Sequence, residues 1–343
     1  MLNSFTSTEA LDSLFKCAMD YNKKHGYKEK DSIKKYHYTS LPVLFNILES
    51  DSLWVSSSRF SNDTSEEMLL GEKWRKDNNY DGDNYIFCLC DEGNRLSQWR
   101  GYCSNGGASI ELAVNKSSVF SILEAMHESS RKGKHEVRVV RALPVVYTTD
   151  KAAKQVLKNM RNDLPDTCDT SNLVPLLKND HFKEELESRI VFSNAKGELS
   201  HCIRFRTLEN GVKMPYMVIK AGDLGKDLSR YDFDMSRYAI EEFISEKSGH
   251  AKEIWLPQGS NQEAIYNKVM SVVNERNEKR TDPRDLEIQV FCEGHLPIRE
   301  IIAAPTYDRE RVAEAIKRFC QSKYWLRSVK VSYSKIPYIP PSR

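Results

Sequence analysis

Apolar positions along the chain switch repeatedly between the 3.6-residue period of helices and the two-residue period of strands. Leu11, Leu14, Phe15, Ala18 and Met19 recur at helical spacing between the capping-box pattern Thr6-x-x-Glu9 and Gly26, which predicts a packing helix over 6–25. A charged connection leads to Tyr36-His37-Tyr38, a predicted strand ending at Thr39-Ser40. Ser40 then caps a helix with Pro42 in its first turn and Leu44, Phe45 and Leu48 on its apolar face, and Leu53-Trp54-Val55-Ser56 reads as the next strand. The pattern further predicts a helical segment with Met68, Leu69 and Trp74, strands over 85–90 and 108–114, a short helix over 97–102 between them, and a β-rich stretch over 137–147 interrupted by Pro144. Residues 184–192 pass from helix-like to strand-like, and Asn210-Gly211 is a favoured turn between strands at 203–205 and 214–219. Strand, proline turn and helix then occur twice, at 252–278 and 299–321, before a last strand at 329–333.

These elements predict an α+β (mixed α/β) protein. We expect an N-terminal helix within 1–30 and one elaborated domain over 31–343, with a helical insertion at about 150–183 and the strand-turn-helix units at about 250–335. Two copies of such a unit fall short of the roughly three that a repeat protein stacks. With 51 Lys and Arg against 49 Asp and Glu, the net charge of +2 excludes a histone-like polycation but leaves room for a local basic groove. The eight cysteines follow no zinc-site spacing, Cys88-x-Cys90 being the closest pair. The N-terminus lacks a cationic, apolar leader, so the expectation is a cytoplasmic protein with reduced thiols, no metal and no membrane partner.

No GxGxxG, P-loop, HExxH or GxSxG occurs, which removes support for P-loop nucleotide hydrolysis and zinc proteolysis. Polar and aromatic residues gather instead at predicted strand ends: His37 and Thr39; Ser56, Ser58, Arg59, Phe60, Asn62 and Asp63; Trp99 and Tyr102; Glu185, Glu187 and Arg189. These residue types suit cleavage of a glycosidic bond to a cationic leaving group such as the nicotinamide of NAD. An oxocarbenium-like transition state needs a carboxylate beside it, aromatic surface for the ring and polar groups for the ribose. Glu187 is the candidate carboxylate, with Arg59 to hold a phosphate or steady it. Each candidate also has a plainer role. His37 between two tyrosines suits packing, the 185–189 alternation suits an ion-pair row, 56–67 suits a capped polar loop, and Trp99 with Tyr102 suits core.

The string Tyr36-His37-Tyr38-Thr39-Ser40-Leu41, the FSND at 60–63, SQWRGYCSNGGASIEL at 97–112, the ExExR ending at Arg189, GVKMPY at 211–216 and SKIPY at 334–338 together resemble a bacterial domain-of-unknown-function family found near phage-defence genes. Its opening also resembles the DarT-type ADP-ribosyltransferases, where His-x-Thr at a strand end precedes a helix and a second short strand. The resemblance implies an ADP-ribosyltransferase-like split sheet core and NAD as substrate. It implies His37, Tyr38 and Thr39 at the NAD ribose, the stretch from Ser56 through Phe60 to Asn62 as the second motif, and Glu187 as catalytic with Glu185 as the alternative. It further implies a toxin or anti-phage effector that modifies nucleic acid or, less favoured, protein, with an antitoxin or chaperone partner. The sequence departs from its nearer family at Leu186 and at Ala303-Ala304-Pro305. Two rivals stand beside this reading: a non-enzymatic nucleotide-sensing or partner-binding module, and a nuclease holding Mg²⁺ on Asp63, Glu66 and Glu111.

Overall fold

The computed structural model describes residues 8–26, 34–60, 69–77, 80, 83–103, 105–114, 118–123, 125, 136–164, 173–194, 197–208, 210–222, 236–247, 253–282 and 287–338. In chain order they form α1 (Thr8–Lys24), β1 (Lys35–Ser40), α2 (Leu41–Ser50), β2 (Leu53–Ser57), α3 (Gly71–Asp77), β3 (Asn84–Cys90), α4 (Leu96–Tyr102), β4 (Gly107–Leu112), β5 (Ser118–Leu123), β6 (Glu136–Val140), β7 (Leu143–Pro144) and β8 (Val146–Thr148). There follow α5 (Ala153–Asn162), β9 (Leu177–Asn179), β10 (Glu187–Ser193), β11 (Arg204–Thr207), β12 (Lys213–Ala221), α6 (Arg237–Lys247), β13 (Glu253–Leu256), α7 (Gln262–Glu278), β14 (Gln289–Cys292), β15 (Ile298–Ala303), α8 (Arg309–Ser322) and β16 (Lys330–Tyr333). The protein is thus mixed α/β, built on a 12-stranded mixed sheet. Among the described residues no helix is long and apolar enough to cross a membrane.

The near-continuous apolar run of β3 makes it a central strand, buried at every position but Cys88. All seven of its residues pair antiparallel with β10, from Asn84 opposite Ser193 to Cys90 opposite Glu187. Its other edge is shared. Cys90 pairs with Tyr36 of β1, while Ile86 and Tyr85 pair with Ser56 and Ser57 of β2. From there β1 leads through β4 and β15 to β16, whereas β2 leads through β12 and β5 to β6. The sheet therefore forks at β3, and the gap between β1 and β2 opens beside Phe87, Cys88 and Leu89. At the far end of β1, Ser40 pairs with Gly107, where an added Cβ would lie 2.2 Å from the Thr39 carbonyl oxygen, so only glycine lets the two strands approach.

Three expectations are corrected. The stretch 150–183 is not helical throughout: α5 ends at Asn162, the described residues from Leu173 onward form the 3₁₀ turn Val174–Leu176 and the start of another at Asp180, and β9 between them pairs in parallel with β8. Glu185 does not alternate with Glu187 along one strand, because Leu186 takes a left-handed conformation (φ 47°, ψ 50°) that ends the 3₁₀ turn Asp180–Glu185 and starts β10 at Glu187. The two C-terminal strand-turn-helix units are each completed by a parallel strand, giving β13-α7-β14 and β15-α8-β16. The second extends the large sheet, and the first carries its own core of Ile254, Leu256, Tyr266, Val269 and Val290. The N-terminal helix packs Leu11, Leu14 and Ala18 against Val156, Leu157 and Met160 of α5. Thr6 and Met68 lie outside the described residues.

Candidate functional site

A pocket of about 380 Å³ including its mouth opens at the fork, lined by Tyr36, His37 and Tyr38 of β1, Cys88, Leu89 and Cys90 of β3, Gln98 and Tyr102 of α4, and Glu185 and Glu187. The fork joins His37 to Glu187, 150 positions apart in the sequence, because β1 and β10 flank the same end of β3.

Glu187 is buried, and both its oxygens are occupied. Oε1 accepts from Nε of Arg189 at 2.7 Å; Oε2 accepts from a terminal nitrogen of Arg189 at 3.0 Å and from Nζ of Lys178 at 2.6 Å. Burial alone pushes such a carboxyl up, but the two cations outweigh it and hold Glu187 at about 2. Lys178 also reaches Glu185 at 2.7 Å. There burial prevails, and Glu185 is raised above its ordinary value. The two carboxylates thus differ in kind: one is a fixed anion, the other a more accessible group with a stronger hold on a proton. Arg189 is anchored in turn by the Pro175 carbonyl at 2.7 Å, and the Glu187 backbone N–H donates to the Tyr147 hydroxyl at 2.8 Å.

His37 stacks on Phe87 with ring centroids 4.3 Å apart, and its Nδ1 lies 3.0 Å from the Cys88 carbonyl oxygen, in the gap where no strand partners that group. A carbonyl only accepts, so Nδ1 carries the proton and Nε2 is the ring's acceptor. Burial lowers the His37 pKa despite this bond, which keeps the ring neutral. Cys88 is open to the pocket yet surrounded by protein. Burial, and then the nearby Glu187 charge, push its thiol well above the ordinary range, so it is a neutral lining group and not a thiolate. Tyr102 presents its ring at the mouth, with burial and Glu185 raising its hydroxyl.

Of the residues singled out in the sequence, the pocket gathers His37, Tyr38, Tyr102, Glu185 and Glu187. Tyr38 contributes its ring only, since its hydroxyl donates to the Glu92 carbonyl at 2.7 Å and accepts from the Arg95 N–H at 2.9 Å. Trp99 is wholly buried, edge-on to Tyr38, with its indole N–H on Asn94 at 2.9 Å, so it offers no ring platform. Thr39 is buried and does not line the pocket, and neither does Ser56, which pairs with Ile86 and Tyr216. Arg59 and Phe60 stand exposed on the turn Ser58–Phe60 and do not line the pocket. Asn62, Asp63 and Glu66 lie outside the described residues. Glu111 is buried at the Tyr36 hydroxyl (3.0 Å) and near Arg299 (3.5 Å), which accounts for its charge without a metal. Lys178, Gln98 and Cys88 were missed. A lone lysine after the apolar run Leu173-Val174-Pro175-Leu176-Leu177 was the one available signal, since a cation so placed demands a buried anion.

A family model described as a protein of unknown function (DUF2971) matches residues 98–190. The matched segment begins at Gln98 and holds Tyr102, Lys178, Glu185, Glu187 and Arg189, so it spans most of the pocket's polar wall. No curated protein and no solved structure matches the chain.

Proposed function

We propose that the protein is an NAD-dependent ADP-ribosyltransferase, with NAD as substrate, acting as a toxin or anti-phage effector. The observation that carries the transferase reading is the convergence of a neutral His37, an aromatic mouth at Tyr102 and a buried, permanently ionised Glu187 in one pocket at the sheet fork. The effector role is supported by the spread of motifs from Tyr36 to Tyr338 alone.

The lining suits the nicotinamide riboside end of NAD. Tyr102 gives the ring a flank, Gln98 offers an amide to the carboxamide, and Nε2 of His37 accepts from a ribose hydroxyl. Glu187 stays charged at any working pH and stabilises positive charge developing at the ribose C1′ as the bond to nicotinamide breaks. Nicotinamide leaves with the bonding electron pair, and an acceptor heteroatom forms the new bond to C1′. Glu185, the carboxylate with the raised pKa and the greater exposure, takes the acceptor's proton. Tyr102 thereby supplies the aromatic surface that the nicotinamide ring needs.

Nicotinamide release from NAD, followed with cell extract as the acceptor source, tests the reading. Glu185→Gln should lower release about 100-fold or more while the protein remains folded. Release unchanged in that variant removes Glu185 from the chemistry. Calorimetry showing NAD bound but never turned over with any acceptor would favour a nucleotide-sensing module.

A further inference from the structure

We propose that Gln98 is the specificity-determining residue of the pocket, confining it to a neutral primary carboxamide on a cationic aromatic ring and shutting out the corresponding carboxylate. For a dinucleotide this selects NAD over its nicotinic acid counterpart, a consequence that rests on the transfer reading above; the preference for the ring itself does not. Gln98 is 6% exposed and lines the pocket, and among the described residues no group hydrogen-bonds its side-chain amide. An amide that leaves water without gaining a partner is costly to bury. Its partners are left for a ligand to supply.

Local structure holds the side chain in place. Gln98 and Tyr102 lie four residues apart on α4 and so share one face of the helix. Trp99 between them is wholly buried edge-on to Tyr38, its indole N–H donates to Asn94 at 2.9 Å, and the Arg95 N–H donates to the Tyr38 hydroxyl at 2.9 Å. The helix is thereby fixed to β1 with Gln98 and the Tyr102 ring on the pocket. An amide presents a donor beside an acceptor, and a primary carboxamide presents the same pair reversed. Oε1 of Gln98 accepts from the ligand's NH₂ group while Nε2 donates to its carbonyl oxygen. A carboxylate only accepts, which leaves Oε1 against a second oxygen with no proton between them. Charge acts in the same direction. Glu185 and Glu187 are part of the lining, whereas Lys178 and Arg189, which hold Glu187, are not. Among the described residues the ligand therefore meets anionic groups and no lysine or arginine, which favours a pyridinium ring and gives a carboxylate substituent no counter-charge.

Ligand-detected NMR titration of the full chain tests this without any turnover. The probes are three N-methylated pyridinium ions of nearly equal size: 1-methylnicotinamide, 1-methyl-3-acetylpyridinium and N-methylnicotinate, which carry a carboxamide, an acetyl group and a carboxylate. Ligands this small should bind in the millimolar range. The carboxamide should bind at least about tenfold more tightly than the carboxylate, with the acetyl compound, which keeps one of the two hydrogen bonds, between them. Gln98→Met keeps the volume and loses the amide. It should bind the carboxamide about tenfold more weakly and the carboxylate as before. Should that variant lose its circular dichroism signature, Gln98→Asn, which draws the amide back by one methylene, reads the same contact and should also lose the preference. Equal affinity of wild type for carboxamide and carboxylate overturns the proposal, as does an unchanged preference in a folded Gln98 variant or failure of 1-methylnicotinamide to bind. With the dinucleotides, release of nicotinamide from NAD should exceed release of nicotinate from nicotinic acid adenine dinucleotide at least about 100-fold in kcat/KM. Selective binding of the ring with no nicotinamide released sinks the transfer reading and leaves the preference standing; equal release from both dinucleotides does the reverse.

Discussion

A buried carboxylate between two buried cations sets the character of the site residue by residue. Lys178 and Arg189 are almost wholly removed from water, and each leans on Glu187. Removing that charge leaves cations that cannot be resolvated, and breaking a buried pair in this way typically costs about 3–5 kcal/mol. Glu187→Gln should accordingly lower the urea midpoint far more than Glu185→Gln, whose loss still leaves Lys178 its partner Glu187. The same pairing fixes the acid limb. A carboxyl depressed from 4.5 to about 2 contributes stability that is complete above 4.5 and lost as the pH falls toward 2, about 3 kcal/mol in all. Wild type should therefore lose stability over that window, and Glu187→Gln should show a flatter profile there. His37 has the opposite logic. Its pKa is lowered, so the neutral ring is favoured in the fold, and its contribution holds above about 6.5 and fades at lower pH. NAD binding, measured by calorimetry, should weaken below that pH and lose the dependence in His37→Gln. The sequence made the pair of glutamates visible but not which was which, since their difference depends on Lys178, brought in from a segment that reads as helix.

At the scale of elements, periodicity located β1, α2, β2, β3, α4, β12 and α8 to within a residue or two, because each keeps one apolar face or run that only one period satisfies. It failed where backbone conformation and not pattern decides. Leu186 interrupts an otherwise regular 185–189 alternation by turning left-handed, a conformation costing an L-residue roughly 1–2 kcal/mol. The turn lets the backbone of Leu186 accept from the Asp91 N–H at 3.1 Å while Glu185 swings off the strand yet remains on Lys178. Leu186→Asn, which tolerates this conformation, should raise unfolding free energy by about 1 kcal/mol in urea titration and leave Glu187 in place. Gly107 imposes the reverse constraint. Its Cβ would meet the Thr39 carbonyl, part of the strand that carries His37, so Gly107→Ala must displace β1 from β4. We expect about 1–3 kcal/mol of destabilisation, with a lower thermal midpoint and weakened NAD binding together.

The fork belongs to the whole molecule, and no local pattern announces it. That β1 and β2 share one edge of β3 is a fact of long-range pairing, and so is the closure of each C-terminal unit by a parallel strand. The first of those units, β13-α7-β14, has a core of its own, on which Tyr324 and Trp325 pack from the segment after α8, and polar contacts also join it to the main sheet. Asp51, at the left-handed end of α2, accepts from the Leu296 N–H at 2.9 Å and lies 2.7 Å from Nδ1 of His295. The other nitrogen of that ring is 3.1 Å from the Tyr324 hydroxyl, which donates to Gln262 at the start of α7. A single side chain thus joins the helix that follows the His37 strand to the C-terminal unit. Regions with separate cores can open separately when a link between them is cut. Asp51→Ala should therefore speed amide hydrogen exchange across 253–292 while exchange in β3 and β10, the walls of the pocket, stays at its wild-type rate. Uniform acceleration through both regions would instead mean that the C-terminal unit and the forked sheet unfold as one body.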